Sequence, residues 1–164
     1  MKIILKLLFI ALFIILETHA DAGQKKYKKL PLSVSLPYLK SIQSHAINLG
    51  KGPVDIYVFI DPKCPRSQEF ITLISQSKKM QSLYSYHIYL YELKRFHSKP
   101  LIESIYGSKN SLQALLDVIV YKKTLKKVPL KDDVKSKIIS LENVGKRLDV
   151  YKRPYLVLVR KGKK

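Results

Sequence analysis

Residues Val54–Phe70 read VDIYVFIDPKCPRSQEF, and the rest of the chain is organised around them. Val54 to Ile60 is a nearly continuous apolar run, rich in β-branched and aromatic side chains. That composition suits a strand buried on both faces. Asp61-Pro62 stops it, because proline lacks an N–H and steers the residue before it away from helix. Cys64, the only cysteine in the chain, comes next. Pro65 then opens a stretch of helical character, with Phe70, Ile71 and Ile74 marking its inner face through about Lys79. The sole thiol is thus placed where a core strand meets a helix N-terminus. Unpaired N–H groups and the helix dipole favour a thiolate there, and Lys63 and Arg66 add positive charge on either side.

The N-terminus reads as an address rather than as part of the domain. Lys2 and Lys6 precede the apolar run Leu7–Leu16, and small residues follow at Ala20 and Ala22. These are the three regions of a signal peptide, with cleavage after Ala20 or Ala22 and Ala22 preferred. A run of about ten apolar residues is short of the ~20 that a membrane span needs; an uncleaved anchor is the competing reading. Residues 1–22 are therefore expected to be removed, leaving a periplasmic or secreted protein. In an exported chain an unpaired cysteine suggests a reactive thiol or an intermolecular bond.

Lysine and arginine number 31 against 12 acidic residues, a formal charge of +19. Only five of the basic residues are arginine, the residue that reads bases and phosphates with a rigid fork. No nucleic-acid motif is present. The lysines are scattered, so a solvated surface is the plain reading and contact with an anionic surface the sharper one.

Residues 23–53 form a leader and a first helix. Leu30, Leu32, Val34 and Leu36 alternate, which suggests an edge strand limited by Pro31. Ser35 then caps a helix from near Pro37, with Leu39, Ile42, Ala46 and Leu49 at helical spacing. After the Val54–Ile60 strand and its helix, Tyr84–Leu93 alternates as a second strand. Strand, long crossover, strand implies a parallel pair and a right-handed βαβ unit. A short helix near Pro100–Tyr106 follows. Leu112, Leu115, Leu116 and Ile119 then mark a firm helix, capped by Asn110 or Ser111 and broken by Val128-Pro129. A last helix runs from about Lys131 to Leu148, with Asp132 and Asp133 at its positive end. Tyr155–Val159 reads as a third buried strand. His45, His87 and His97 show no ligand spacing, so neither a metal nor a cofactor is expected.

This order resembles the thioredoxin fold, and more closely the thioredoxin-like domain of the bacterial periplasmic disulfide oxidoreductases and isomerases, the Dsb group. The stretch Phe59–Ser67 is similar to the family's aromatic-rich strand leading into Asp-Pro-x-Cys-Pro-x-Cys. A helical insertion, here about residues 100–148, separates the βαβ half from the final strand. Leu148–Val157 is similar to the family's loop whose cis-proline faces the active cysteine, with Pro154 in that place. The resemblance covers roughly Val54 to Arg160, within a domain of residues 54–164. It implies an α/β fold: a βαβ unit, a helical insertion and a final antiparallel strand. Two departures stand out. Ser67 occupies the place of the second cysteine, and the chain stops short of the family's last strand and helix, leaving Tyr155–Val159 as an edge.

The resemblance implies that Cys64 is the nucleophile, within the motif Cys64-Pro65-Arg66-Ser67, that Lys63 and Arg66 stabilise its thiolate, and that Arg153 and Pro154 shape a substrate groove. Ser67 cannot resolve a mixed disulfide, although its Oγ is placed to hydrogen-bond the thiolate. Release then needs an external thiol or a substrate cysteine. Cysteine-containing envelope proteins or small thiols are the expected partners, with the chain a monomer or a Cys64-linked dimer. The alternative is a non-catalytic adaptor that binds an envelope partner by its edge strand or basic surface.

Overall fold

The computed structural model describes Tyr27 and residues 30–160. The expected signal peptide, residues 1–22, lies outside the described residues. The sheet has four strands in the order β1-β3-β2-β4: β1 Ile47–Leu49, β2 Val54–Ile60, β3 Tyr84–Leu90 and β4 Tyr155–Arg160. As its composition requires, β2 is interior. It pairs in parallel with β3, Val58 opposite Ile88, and antiparallel with β4, Val58 opposite Leu156. Ile56 to Ile60 are all buried. The crossover from β2 to β3 is α2 Pro65–Gln76 and α3 Lys78–Leu83. Between β3 and β4 lie α4 Lys99–Gly107, α5 Ser111–Ile119 and α6 Asp132–Arg147. Their apolar stripes join one core with the sheet: Ile102 and Ile105 from α4, Leu115 and Ile119 from α5, Ile138 and Leu141 from α6.

The first third departs from expectation. Leu30–Leu36 is not an edge strand: a helix, α1, spans Leu32–Ser41, with Pro31 at its N-cap and Pro37 inside it. The burial decides the period. Ser35 and Leu39, four apart, face inward, while Leu32 and Val34 are exposed. Helical spacing through Leu49 is also overruled. After α1 and a single 3₁₀ turn, Gln43–His45, the chain extends as β1 and pairs antiparallel with the edge of β3, Ile47 opposite Ile88. Pairing with an available strand edge outweighs a short helical pattern.

Three boundaries have local causes. Ser77 divides the crossover helix, its Oγ capping α3 by accepting from Met80 N–H at 3.2 Å. The second strand stops at Leu90 rather than Leu93: Tyr91 N–H still bonds Ile60 C=O at 2.8 Å, but the Tyr91 and Glu92 carbonyls and Leu93 N–H are taken by side chains described below. The α5 helix ends at Ile119, well before Val128-Pro129. There Tyr121 N–H bonds Leu116 C=O at 3.1 Å, Lys122 takes a left-handed φ of 54° and Lys123 N–H bonds Asp117 C=O at 2.8 Å, so the last turn widens and its free carbonyls are satisfied. Finally, β4 is not buried on both faces. Tyr155, Val157 and Val159 are half-buried, while Leu156 and Leu158 are 45% and 49% exposed.

Gly52 marks the closest approach of the turn before β2 to the end of α3. A Cβ there would lie 2.0 Å from Leu83 C and 2.1 Å from Tyr84 N. Both are backbone atoms that cannot rotate away. Gly52→Ala is expected to cost about 3 kcal/mol by forced overpacking, seen as a lower denaturant midpoint at unchanged slope.

Candidate active site

The turn that carries Cys64 is built by Asp61. Its carboxyl is fully buried. Oδ1 accepts from Lys63 N–H at 2.8 Å. Oδ2 accepts from Leu93 N–H at 2.6 Å and from Ser98 Oγ–H at 2.7 Å. Cys64 N–H bonds Asp61 C=O at 3.0 Å, and Asp61 N–H donates to Ser67 Oγ at 3.3 Å. Asp61 is therefore more than the turn former its place before Pro62 suggests. It joins the end of β2, the first turn of α2 and the connector after β3 into one unit. Ser98 gave no signal in sequence, because nothing local marks a serine as the partner of a carboxylate 37 positions away.

Cys64 occupies the N-cap of α2, with Pro65 at the helix start. Its side chain caps no N–H of the first turn. Instead Sγ lies 3.8 Å from the carbonyl oxygen of Arg153, a contact an S–H group makes as donor. The residue is 4% exposed. The Arg153–Pro154 peptide is cis, so the carbonyl against the thiol is the one that precedes a cis-proline. Pro154 is half-buried and, with Tyr151, Lys152, Tyr155 and Leu156, lines a groove of about 450 Å³.

The flanking side chains lie as follows. Lys63 is exposed, and its Nζ donates to His97 C=O at 3.0 Å. Arg66, two residues after Cys64, is exposed, with no ion pair among the described residues. Ser67 is fully buried, and its Oγ is engaged by Asp61 N–H, not by the sulfur.

Arg153 presents its carbonyl, not its charge, to the site. The guanidinium turns inward, where Nε donates to Tyr91 C=O at 2.9 Å. Nη1 donates to Val150 C=O at 3.0 Å and Lys152 C=O at 2.8 Å, and Nη2 to Glu92 C=O at 3.4 Å. It stacks 4.1 Å from the Tyr91 ring centroid. Burial pulls its pKa down to about 10, and the nearby Tyr91, Asp61 and Cys64 act in the opposite direction. A planar fork with five donors suits a loop whose carbonyls point inward. Tyr91 in turn lies against Gly145, where a Cβ would come within 2.5 Å of its ring. These contacts explain why β3 ends at Leu90: Arg153 and Asp61 have taken the main chain beyond it.

His87 lies elsewhere. The His87 ring meets Asn48 Oδ1 at 2.9 Å and Asp55 Oδ1 at 3.2 Å across β1, β3 and β2. Among the described residues no group of three or more His, Cys, Asp or Glu is placed to hold a metal ion.

The fold is thioredoxin-like, and solved structures bear this out. A disulfide interchange protein from Neisseria gonorrhoeae superposes with a TM-score of 0.55 at 15% identity, over 70% of this chain and 80% of that one. ScsC from Proteus mirabilis, in a compact conformation, gives 0.54 at 13% identity over 96% and 91%. DsbG from Helicobacter pylori gives 0.52 at 12% identity over 77% and 62%. No protein-family model and no curated protein sequence matches the chain.

Asp61→Asn puts an amide N–H₂ against backbone or hydroxyl donors on one side of the carboxyl. The expected cost is about 3 kcal/mol, and Ser98→Ala, which removes one bond to the charged group, costs about 1.5 kcal/mol. Chemical denaturation of the two variants reads the difference.

Proposed function

We propose that the protein is an exported monothiol of the cell envelope that takes part in thiol–disulfide exchange through Cys64. One observation carries this reading: the lone sulfur sits at a helix N-terminus, 3.8 Å from the carbonyl that precedes a cis-proline. The apolar leader Leu7–Leu16 supports export. The attacking form is the thiolate, and Arg66 is the exposed cation nearest in sequence that is left free to draw substrate thiolates or carboxylates toward it.

The exchange balances in two steps. Cys64 Sγ attacks one sulfur of a substrate disulfide, forming a mixed disulfide and expelling the other sulfur as a thiolate. A second thiolate, from the same substrate or from a small thiol, then attacks the mixed disulfide and restores Cys64. With Ser67 buried and bonded to Asp61 N–H, no group of this chain performs the second attack. Substrate cysteines that attack back give isomerisation, and a small thiol gives release. No cofactor is required. The half-buried Pro154 and its groove are the surface on which an extended segment of a cysteine-containing protein lies, joined by main-chain hydrogen bonds.

The 4% exposure of Cys64 favours a second reading, a binding module whose thiol is simply packed. It also disfavours a dimer bridged through two such sulfurs. Oxidised glutathione separates the readings. The exchange reading expects an adduct on the folded protein, lost in Cys64→Ser, and iodoacetamide labelling without denaturant. Labelling only after unfolding, with no adduct, establishes the binding module instead.

Ser67→Cys supplies the missing second sulfur one helical turn from the first. Under the exchange reading this variant resolves its own adduct and ends with neither bound glutathione nor free thiol. The native chain keeps the adduct until a small thiol is added. Intact-mass measurement distinguishes the two states.

A further inference from the structure

The segment between α5 and α6, Tyr121–Lys131, reads YKKTLKKVPLK: five lysines and no carboxylate. It is not a loose tail. Leu125 and Leu130 pack against the core. At its start Tyr121 N–H bonds Leu116 C=O at 3.1 Å. Lys122 Nζ donates to Gln68 Oε1 at 3.1 Å, which ties the segment to the helix that begins beside Cys64. Between these anchors the lysines face solvent. Tyr121 is 59% exposed and Val128 41% exposed, so apolar groups flank them.

Nearby acidic groups offset part of this charge: Asp132 and Asp133 follow Lys131 directly, and Glu103 and Glu142 share a groove with Leu130. Asp117 pairs with Lys123 at 3.1 Å, and Glu69 lines the shallow groove that Lys122 borders. Asp132, at the start of α6, is paired with Lys135 at 2.9 Å. Lys126 and Lys127 have no ion pair among the described residues.

We propose that Tyr121–Lys131 docks the protein on an anionic phospholipid bilayer. The chemistry selects that occupant. Lysine is a compact point charge on a flexible stem, suited to a laterally mobile field of phosphates; fixed, bidentate recognition of an acidic protein favours arginine, and the segment has none. Each lysine near an anionic leaflet contributes on the order of 1 kcal/mol. A tyrosine among them suits the headgroup level, where an aromatic ring with a polar tip is at home. The docking itself does not depend on thiol chemistry.

The test uses the protein purified as its host exports it, with the N-terminus read by mass spectrometry. Its partition onto vesicles containing phosphatidylglycerol is divided by that onto pure phosphatidylcholine vesicles, which cancels any apolar contribution from the leader. The expected ratio is well above one and collapses in 0.5 M salt, on the order of a 4 Å screening length. Lys126→Glu with Lys127→Glu lowers the ratio at least about tenfold. Lys146→Glu with Arg147→Glu makes the same change in net charge at the far end of α6, about 20 Å along the helix axis. This pair lowers the ratio less than about threefold. Cys64→Ser leaves it unchanged, so a failure of the exchange reading does not touch this result. A native ratio near one overturns the proposal. So does an equal drop for both charge-reversal pairs, which would show net charge without a docking surface, or binding to soluble polyglutamate in preference to the vesicles.

Discussion

A buried carboxylate must find its full set of donors or the site around it comes apart, and here Asp61 finds them on two segments, its own turn and the connector after β3. Such a group is expensive to take out of water and repays that cost only through hydrogen bonds. Because its partners are Lys63 N–H, Leu93 N–H and Ser98 Oγ–H, the thiol-bearing turn cannot move independently of the connector after β3. Arg153 does the complementary work from the opposite loop, giving its donors to carbonyls at 91, 92, 150 and 152. Residues 91–93 are thus held from both sides, by an acid through an N–H and by a base through carbonyls. The position of Arg153 C=O against Cys64 follows from that double hold.

The same economy of donors and acceptors explains where Arg153, Lys63 and Ser67 place their polar atoms. Arg153 is a framework residue whose backbone faces the site. Lys63 reaches across to His97 C=O. Ser67, in the place where the resemblance expects a second thiol, satisfies a main-chain N–H that would otherwise be buried without a partner. What remains at the sulfur is a helix terminus, a carbonyl and a narrow opening.

Much of the fold was legible from residues 54–159, because those signals are long and periodic. The β2 run, the parallel β2–β3 pair, the stripe of α6 and the Asn110 cap of α5 all come from patterns that burial enforces. The region before Val54 was not legible, because its alternation at 30–36 and its helical spacing at 39–49 are short and compete with tertiary pairing. In the candidate site, the helix-start position of Cys64 and the loop proline Pro154 could be read from sequence since both stand in recognisable contexts. The roles of Ser98, Tyr91 and Gly145 could not, because each exists only through contacts with residues distant in the chain. The inward turn of Arg153 was hidden for the same reason: a sequence shows that a charge is present, not which way it points.

The alternating burial of β4 has a consequence for how this chain can vary. Between the close of α6 and Tyr155, the stretch 148–154 measures out the distance from a helix end to both the Pro154 peptide and the first rung of β4. Adding or removing a single residue there would do two kinds of damage at once. It would carry the proline away from the sulfur, and it would invert which side of the strand meets the core, since side chains change face at every step. The loop is therefore a ruler shared by the chemistry and the packing, and its length is far less free to drift than its composition.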